Sequence, residues 1–339
     1  MVLRSSVLLL IFLLIMSYVS VKNAEELFTG ELKDRVSFSW DEGEMIKKAI
    51  IQKVGLPSSD KKVTDILMPP EALAKYVEGV VYKDIEYGDH PEEKLNVIIP
   101  LSIRTNEKLP VFVFIHGGTW MAGTKDSILY SQFAKEILKD RCIFVTLNYR
   151  LFPKVRFPEI LDDPTSAITW VYKNISQYGG DPNKIILCGH SAGAHLAALL
   201  AVPKGYLPDR VYWAIKKVLL LSGPYDLPRY DETLGIGYEK VVKEVFLNLF
   251  GGRKNLESTS PVDMVHKNHM NFLLVVGDKD EVTPLAQSQE LYRALKEKGN
   301  TASLFVLPGS GHGGTVFYLN GDFGSKTALP MLVKKFLTF

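Results

Sequence analysis

Ser191 stands in the pentapeptide Gly189-His190-Ser191-Ala192-Gly193, between the apolar run Lys184–Cys188 and an Ala-rich apolar stretch ending near Ala201. A hydroxyl attacks well only when a base takes its proton and an acid holds that base in the right tautomer. Between a strand and a helix, a Gly-x-Ser-x-Gly turn can supply such a nucleophile. Its glycines lack a Cβ, so the chain can reverse sharply and the helix can lie close to the strand. The serine is then expected in a strained backbone conformation, with its hydroxyl beyond the sheet edge. It would also sit at a helix N-terminus, where partial positive charge favours a developing anion.

The partners such a serine needs are present downstream. Asp278 and Asp280 follow the run FLLVVG, and His312 lies in Pro308-Gly309-Ser310-Gly311-His312-Gly313-Gly314, after SLFVLPG begins. Serine, then acid, then histidine, each after a strand, is the chain order of an α/β-hydrolase triad. Asp280 is favoured as the acid because it lies deeper in its loop, four residues before Pro284, whereas Asp278 is placed to accept from turn amides. Asp226, in Gly223-Pro224-Tyr225-Asp226-Leu227, is a weaker competitor whose plainer role is to cap a turn. Upstream, His116-Gly117-Gly118-Thr119-Trp120 offers backbone N–H groups to a developing oxyanion, joined by the amide of Ala192. One such donor is worth about 3 kcal/mol of transition-state stabilisation. His116 is expected to brace this loop and Trp120 to wall the pocket. His190 and His195 read as packed, hydrogen-bonded residues, since no carboxylate or cysteine joins them at metal-ligand spacing.

These groups need a scaffold that delivers each to one edge. VVYKDIEYG and LNVIIPLSI, separated by Gly88-Asp89-His90-Pro91, predict an antiparallel hairpin. VFVFIHGGTW opens with a continuous apolar run of the kind buried on both faces of a parallel sheet. There follow a helix near Ser127–Lys139, a strand in CIFVTLNY, and a helix from about Glu159 to Tyr178 stopped by Gly179-Gly180. After the Ser191 strand and helix come strands in VLLLSG, FLLVVGDKD and SLFVLPG, a helix over Pro284–Lys298, and a last helix ending near Phe336. Alternation at this spacing predicts right-handed βαβ units and one mostly parallel sheet flanked by helices. Residues 25–78 and 224–266 interrupt the alternation and are candidates for a small cap over the strand C-termini, where open α/β sheets bind ligands. Met45–Val54 has the spacing of one helix face. Tyr225, Tyr230, Tyr238, Phe246 and Phe250 would suit an apolar pocket, or simply the cap's own core.

Together HGGTW, NYRLFP followed by FP, GGDP, GHSAGAHLA, GDKDEVTP and GHGG resemble the α/β-hydrolase esterase/lipase superfamily. The branch they resemble reads His-Gly-Gly-x-Trp in its oxyanion loop and includes carboxylesterases, kynurenine (aryl) formamidases and prenylcysteine methylesterases. The resemblance spans roughly residues 80–338. It implies Ser191 as nucleophile, Asp280 as acid, His312 as base, and Gly117, Gly118, Thr119 and Ala192 around the oxyanion. Thr119 stands where hormone-sensitive-lipase relatives carry a third glycine, which separates the chain from that branch. The implied activity is hydrolysis of a small, apolar carboxylic ester through an acyl-enzyme, with no cofactor and no metal. Two alternatives are formamide hydrolysis of N-formylkynurenine and a non-catalytic hydrolase-like binding module.

Composition agrees with a globular enzyme. A formal charge of +2 over 339 residues, with no basic stripe, gives no case for a nucleic-acid partner. Two cysteines, Cys142 and Cys188, are too few for a disulfide framework and are expected as buried thiols. At the N-terminus, Arg4 precedes an apolar run from Val7 to Val21 broken by Ser17, Tyr18 and Ser20. This predicts a signal peptide or signal-anchor over residues 1–24, a secreted or lumenal catalytic domain, and membrane association if the leader is retained. The sequon Asn174-Ile175-Ser176 is compatible with that compartment.

Overall fold

A computed structural model of the chain describes residues 79–104, 107–128, 132–202, 206–234, 246–317 and 329–339. The leader, the proposed cap segment 25–78 with its Met45–Val54 helix, and Tyr238 lie outside the described residues. One eight-stranded sheet organises the rest, in the order β1-β2-β4-β3-β5-β6-β7-β8. The strands are β1 (Gly79–Glu86), β2 (Lys94–Pro100), β3 (Leu109–Ile115), β4 (Ile143–Leu147), β5 (Gly180–His190), β6 (Ile215–Leu221), β7 (Asn271–Gly277) and β8 (Thr301–Leu307). β1 and β2 form the expected antiparallel hairpin, and β2 pairs antiparallel with β4. From β4 across to β8 every pairing is parallel.

The helices are α1 (Gln132–Lys139), α2 (Glu159–Asn174), α3 (Ala192–Leu200), α4 (Asp209–Ala214), α5 (Leu227–Leu234), α6 (Pro261–Met264), α7 (Leu285–Glu297), α8 (Gly314–Phe317) and α9 (Leu329–Leu337). Two differ from the sequence reading at their ends. α1 begins at Gln132, with 127–128 in a turn. α2 stops at Asn174 and tightens into a 3₁₀ turn over Ile175–Tyr178 before Gly179, at φ 84°, ends it. A last turn of 3₁₀ type is a common way for a helix to satisfy its terminal carbonyls.

Continuous apolar strands are needed because the sheet has a core on each face. Val111, Val113, Ile115, Ile185 and Leu187 belong to one apolar cluster, and Phe112, Phe114, Ile186 and Cys188 to the other, as the two-residue strand period demands. Cys142 and Cys188 are both free and buried. Parallel strands ending side by side bring the loops after β3, β5, β6, β7 and β8 to one edge, where α/β sheets bind ligands. The described part of 224–266 does not stand apart from this body. Tyr225, Tyr230, Phe246 and Phe250 are buried in the same cluster as Val111 and Ile185.

Candidate active site

β5 ends at His190 and α3 begins at Ala192, so the reversal falls on Ser191 alone. Ser191 has φ 54° and ψ −123°. A non-glycine residue held there costs about 1–3 kcal/mol and persists only where its surroundings enforce it. Its amide donates to Leu221 O at 2.9 Å, and its carbonyl accepts from Ala194 and His195 at 2.9 and 3.1 Å. Gly193 lets α3 approach β3: a Cβ there would stand 2.1 Å from the carbonyl oxygen of Ile115. Ser191 itself is 7% exposed.

The loop after β3 lies directly against this elbow. A Cβ on Gly117 would come within 2.8 Å of His190 O and 3.0 Å of the Ser191 Cβ. Gly118, Thr119 and Trp120 then take φ of 118°, 55° and 60° in succession. Successive left-handed residues turn backbone amides toward a common side, a geometry suited to an anion. The loop is held by Met121 N and Ala122 N donating to Gly118 O at 3.0 and 2.9 Å. Thr119 Oγ1 donates to the same carbonyl at 2.7 Å. The amides of Gly118, Thr119 and Ala192 have no acceptor among the described residues. His116 braces the loop as expected: its Nδ1–H donates to Gly117 O at 2.8 Å, and its ring stacks on Tyr149 with centroids 4.4 Å apart. Burial holds its pKa down to about 4, so it is neutral there.

Asp280 and His312 arrive from two further loops and meet. His312 Nδ1 lies 3.1 and 3.0 Å from the two carboxylate oxygens of Asp280, whose side chain is wholly buried. Asp280 Oδ1 also accepts from the amides of Val282 and Thr283 at 3.0 and 2.8 Å. Burial alone would raise its pKa. The hydrogen bond and charge of His312, the Thr283 amide and the Ser222 hydroxyl outweigh that and hold it below the usual carboxylate value. Asp278 has the other role foreseen for it, accepting from Gly309 N at 2.7 Å and so tying the two loops together. Asp226 Oδ1 accepts from Arg229 N at 3.1 Å and caps the first turn of α5.

The sequence reading missed Thr283. Its hydroxyl lies 2.9 Å from both Ser222 O and Asp280 Oδ2, and 3.2 Å from His312 Nδ1. A threonine three residues after a loop aspartate, directly before a helix-starting proline, is the one local signal that pointed to it.

Among the described residues no group of three or more His, Cys, Asp or Glu side chains could hold a metal ion. His195 Nε2 donates to Thr259 O at 2.8 Å, and its ring meets Trp120, Phe157 and Phe250. Trp120 is 4% exposed and also packs on Phe246 and Phe250. The structure thus places Trp120 in a buried aromatic cluster with His195, Phe246 and Phe250.

Comparison with known proteins agrees with this architecture. A model of the BD-FAE family matches residues 96–295. The isoprenylcysteine alpha-carbonyl methylesterase of Arabidopsis thaliana is 32% identical over 267 residues, 73% of this chain and 60% of that protein. A probable isoprenylcysteine alpha-carbonyl methylesterase of Oryza sativa subsp. japonica is 31% identical over 269 residues, 74% of this chain and 61% of that protein. The chain therefore spans about three-fifths of the length of these plant relatives. The crystal structure of esterase B from Lactobacillus rhamnosis superposes with a TM-score of 0.65 at 21% identity, covering 88% of this chain and 96% of that one. At that identity the likeness speaks for the fold, and it agrees with the parallel sheet and its connections. By sequence match, sheet order and loop placement, this chain belongs to the BD-FAE family of α/β-hydrolases.

Proposed function

We propose that the chain is a serine hydrolase of carboxylic esters. The observation that carries this is the contact of His312 Nδ1 with both oxygens of a buried Asp280, at the edge where Ser191 is held in strain. A carboxylate accepts only, so Nδ1 carries the proton and Nε2 is free to act as a base. In the proposed reaction the Ser191 Oγ attacks the ester carbonyl while His312 Nε2 takes its proton. The tetrahedral oxyanion is held by the amides of Gly118, Thr119 and Ala192, with Gly117 keeping the loop against the serine. The C–O bond to the alcohol breaks as His312 returns the proton to it, leaving an acyl-enzyme. Water then repeats the sequence and releases the acid. No cofactor enters these steps.

The plant relatives are named as methylesterases. That supports an ester of a small alcohol on an apolar acid. Ser191→Ala is expected to lower turnover of p-nitrophenyl esters about 10⁶-fold, by the precedent of subtilisin. It should also abolish labelling by a fluorophosphonate probe. A variant keeping substantial turnover overturns the assignment, and a wild-type protein that resists the probe favours the binding-module alternative. Faster turnover of a formyl amide than of any short-chain ester would move the activity to formamide hydrolysis.

A lumenal or secreted location rests separately on Arg4 and the apolar run that follows. Asn174 lends it little support, because its Nδ2 donates to Trp170 O at 2.9 Å at the end of α2. Recovery of a chain trimmed near residue 24 from the medium of secreting cells is the expected result; a cytosolic, untrimmed chain refutes it.

A further inference from the structure

His190, the residue before the proposed nucleophile, touches both of the loops that the reaction needs. Its Nε2 lies 3.1 Å from the main-chain oxygen of His312. A carbonyl only accepts, so this nitrogen carries the proton and donates. The two imidazole rings face one another with centroids 4.8 Å apart and planes inclined at 45°. On its other edge, Nδ1 would stand 3.1 Å from a Cβ on Gly117, and its carbonyl oxygen 2.8 Å. One side chain, covalently next to Ser191, therefore spans from the base loop to the oxyanion loop.

We infer that His190 is a positioning residue, a strut that sets His312 and the Gly117 loop relative to Ser191 by donating Nε2–H to the His312 carbonyl. The inference rests on the proposed roles of Ser191 and His312. The physical case is one of reach. His312 enters on a glycine-rich loop that is tied to the Asp280 loop at Gly309 N and Ser310 O, while its own carbonyl also accepts from Thr315 Oγ1 at 3.4 Å. Asp280 orients the ring from the Nδ1 side, and among the described residues the shorter of the two side-chain bonds to the carbonyl of His312 comes from His190, at 3.1 Å against 3.4 Å from Thr315. The neighbour must also stay uncharged, since an imidazolium at His190 would oppose the positive charge His312 gathers in the transition state. Burial, and then the charge of His312, push the pKa of His190 down to about 3.

A ring without a donor and a donor without a ring separate this role from simple packing. His190→Phe fills the same space and loses the hydrogen bond, whereas His190→Gln can place an N–H where Nε2 stood. On a p-nitrophenyl ester, His190→Phe is expected to lower kcat roughly 10- to 100-fold with KM nearly unchanged, the scale of about 1 Å of misplacement. His190→Gln should recover most of that loss. Circular dichroism and the thermal midpoint establish that each variant is folded. A folded His190→Phe enzyme with wild-type kcat overturns the inference. So does a His190→Gln enzyme as impaired as His190→Phe, because the hydrogen bond would then not be what matters. His312→Ala is run alongside. If that variant stays active, the base assignment has failed, and not the role of His190 in particular.

Discussion

His312 and His195 both belong to the layer of loops and helix around Ser191, yet their surroundings are unlike. On the Nδ1 side of His312 the polar groups are linked: Asp280, Thr283, Ser222 and the amides of Val282 and Thr283 form one connected set. Around His195 the neighbours are Trp120, Phe157 and Phe250, and two buried polar atoms, His195 Nδ1 and Trp120 Nε1, have no partner among the described residues. Polar sets of the first kind hold a proton at a chosen atom and make rate depend on geometry. Aromatic packing of the second kind holds loops together and makes stability depend on volume. The contrast teaches where a substitution should register. Changes near His312 should cost turnover with little stability, and changes near His195 the reverse.

The largest test of that division is His312→Ala. Turnover should fall about 10⁶-fold, as for the base of subtilisin, while the thermal midpoint stays close to wild type. A large drop in midpoint with modest loss of rate would erase the distinction. Next, Asp280→Asn should cost about 10⁴-fold in kcat, the scale seen when a triad aspartate loses its charge. Asp278→Asn, two residues away, should change kcat less than a few-fold. Equal losses at the two positions would reassign the acid.

On the aromatic side, Phe250→Ala should remove about 3–5 kcal/mol of stability in urea titration, from lost burial and the cavity left behind. The folded fraction should keep most of its turnover. Finding turnover gone while the urea midpoint is unmoved would place Phe250 with the reacting groups instead. Acid should also expose this side. Burial pushes the pKa of both His195 and His116 down to about 4. Between the ordinary histidine value of about 6.5 and that lower value, the unfolded chain binds protons that the folded chain refuses. Unfolding free energy should therefore decline as pH falls, by up to about 1.4 kcal/mol per pH unit for each histidine, with the contribution of these two levelling off below pH 4 and that of His190 continuing to about 3. Asp280 adds a loss at lower pH still, because its depressed pKa stabilises the fold above the ordinary carboxylate value and ceases to once it is protonated. His195→Gln should make the slope shallower between pH 6 and 5; an unchanged slope would mean that His195 titrates with solvent. A modest effect is expected from Thr283→Val. Losing one hydrogen bond to Asp280, worth about 1 kcal/mol, should lower kcat several-fold while Asp280 keeps its other partners.

Much of the site was legible before any coordinates. The Gly-x-Ser-x-Gly turn, the glycines of the loop after β3 and the strand-by-strand order of Ser191, Asp280 and His312 follow from local patterns, because apolar periodicity and Cβ-free turns act over a few residues. Of the two aspartates it is Asp280 that lies against His312 Nδ1, and Asp278 accepts from a turn amide as expected. Less legible was Trp120, read as a pocket wall and found buried among His195, Phe246 and Phe250, which come from distant parts of the chain. Thr283 was missed because its use depends on Ser222, 61 residues away, and on His312, 29 residues away. Likewise, aromatic residues in 224–266 could be seen to be apolar, but not to join the main core.

By itself the sequence determined a parallel α/β sheet, the loops that bear chemistry and the residue types each loop presents. All of these are legible in patterns of residues close together in the chain, although the strand pairings themselves join distant segments. Tertiary structure alone decided which groups touch. It put His312 against Asp280 32 residues upstream, and the carbonyl of His312 against His190 122 residues upstream. It also decided that His116 and His195 are uncharged, since burial is a property of everything packed around a ring, and no neighbour in sequence can supply it.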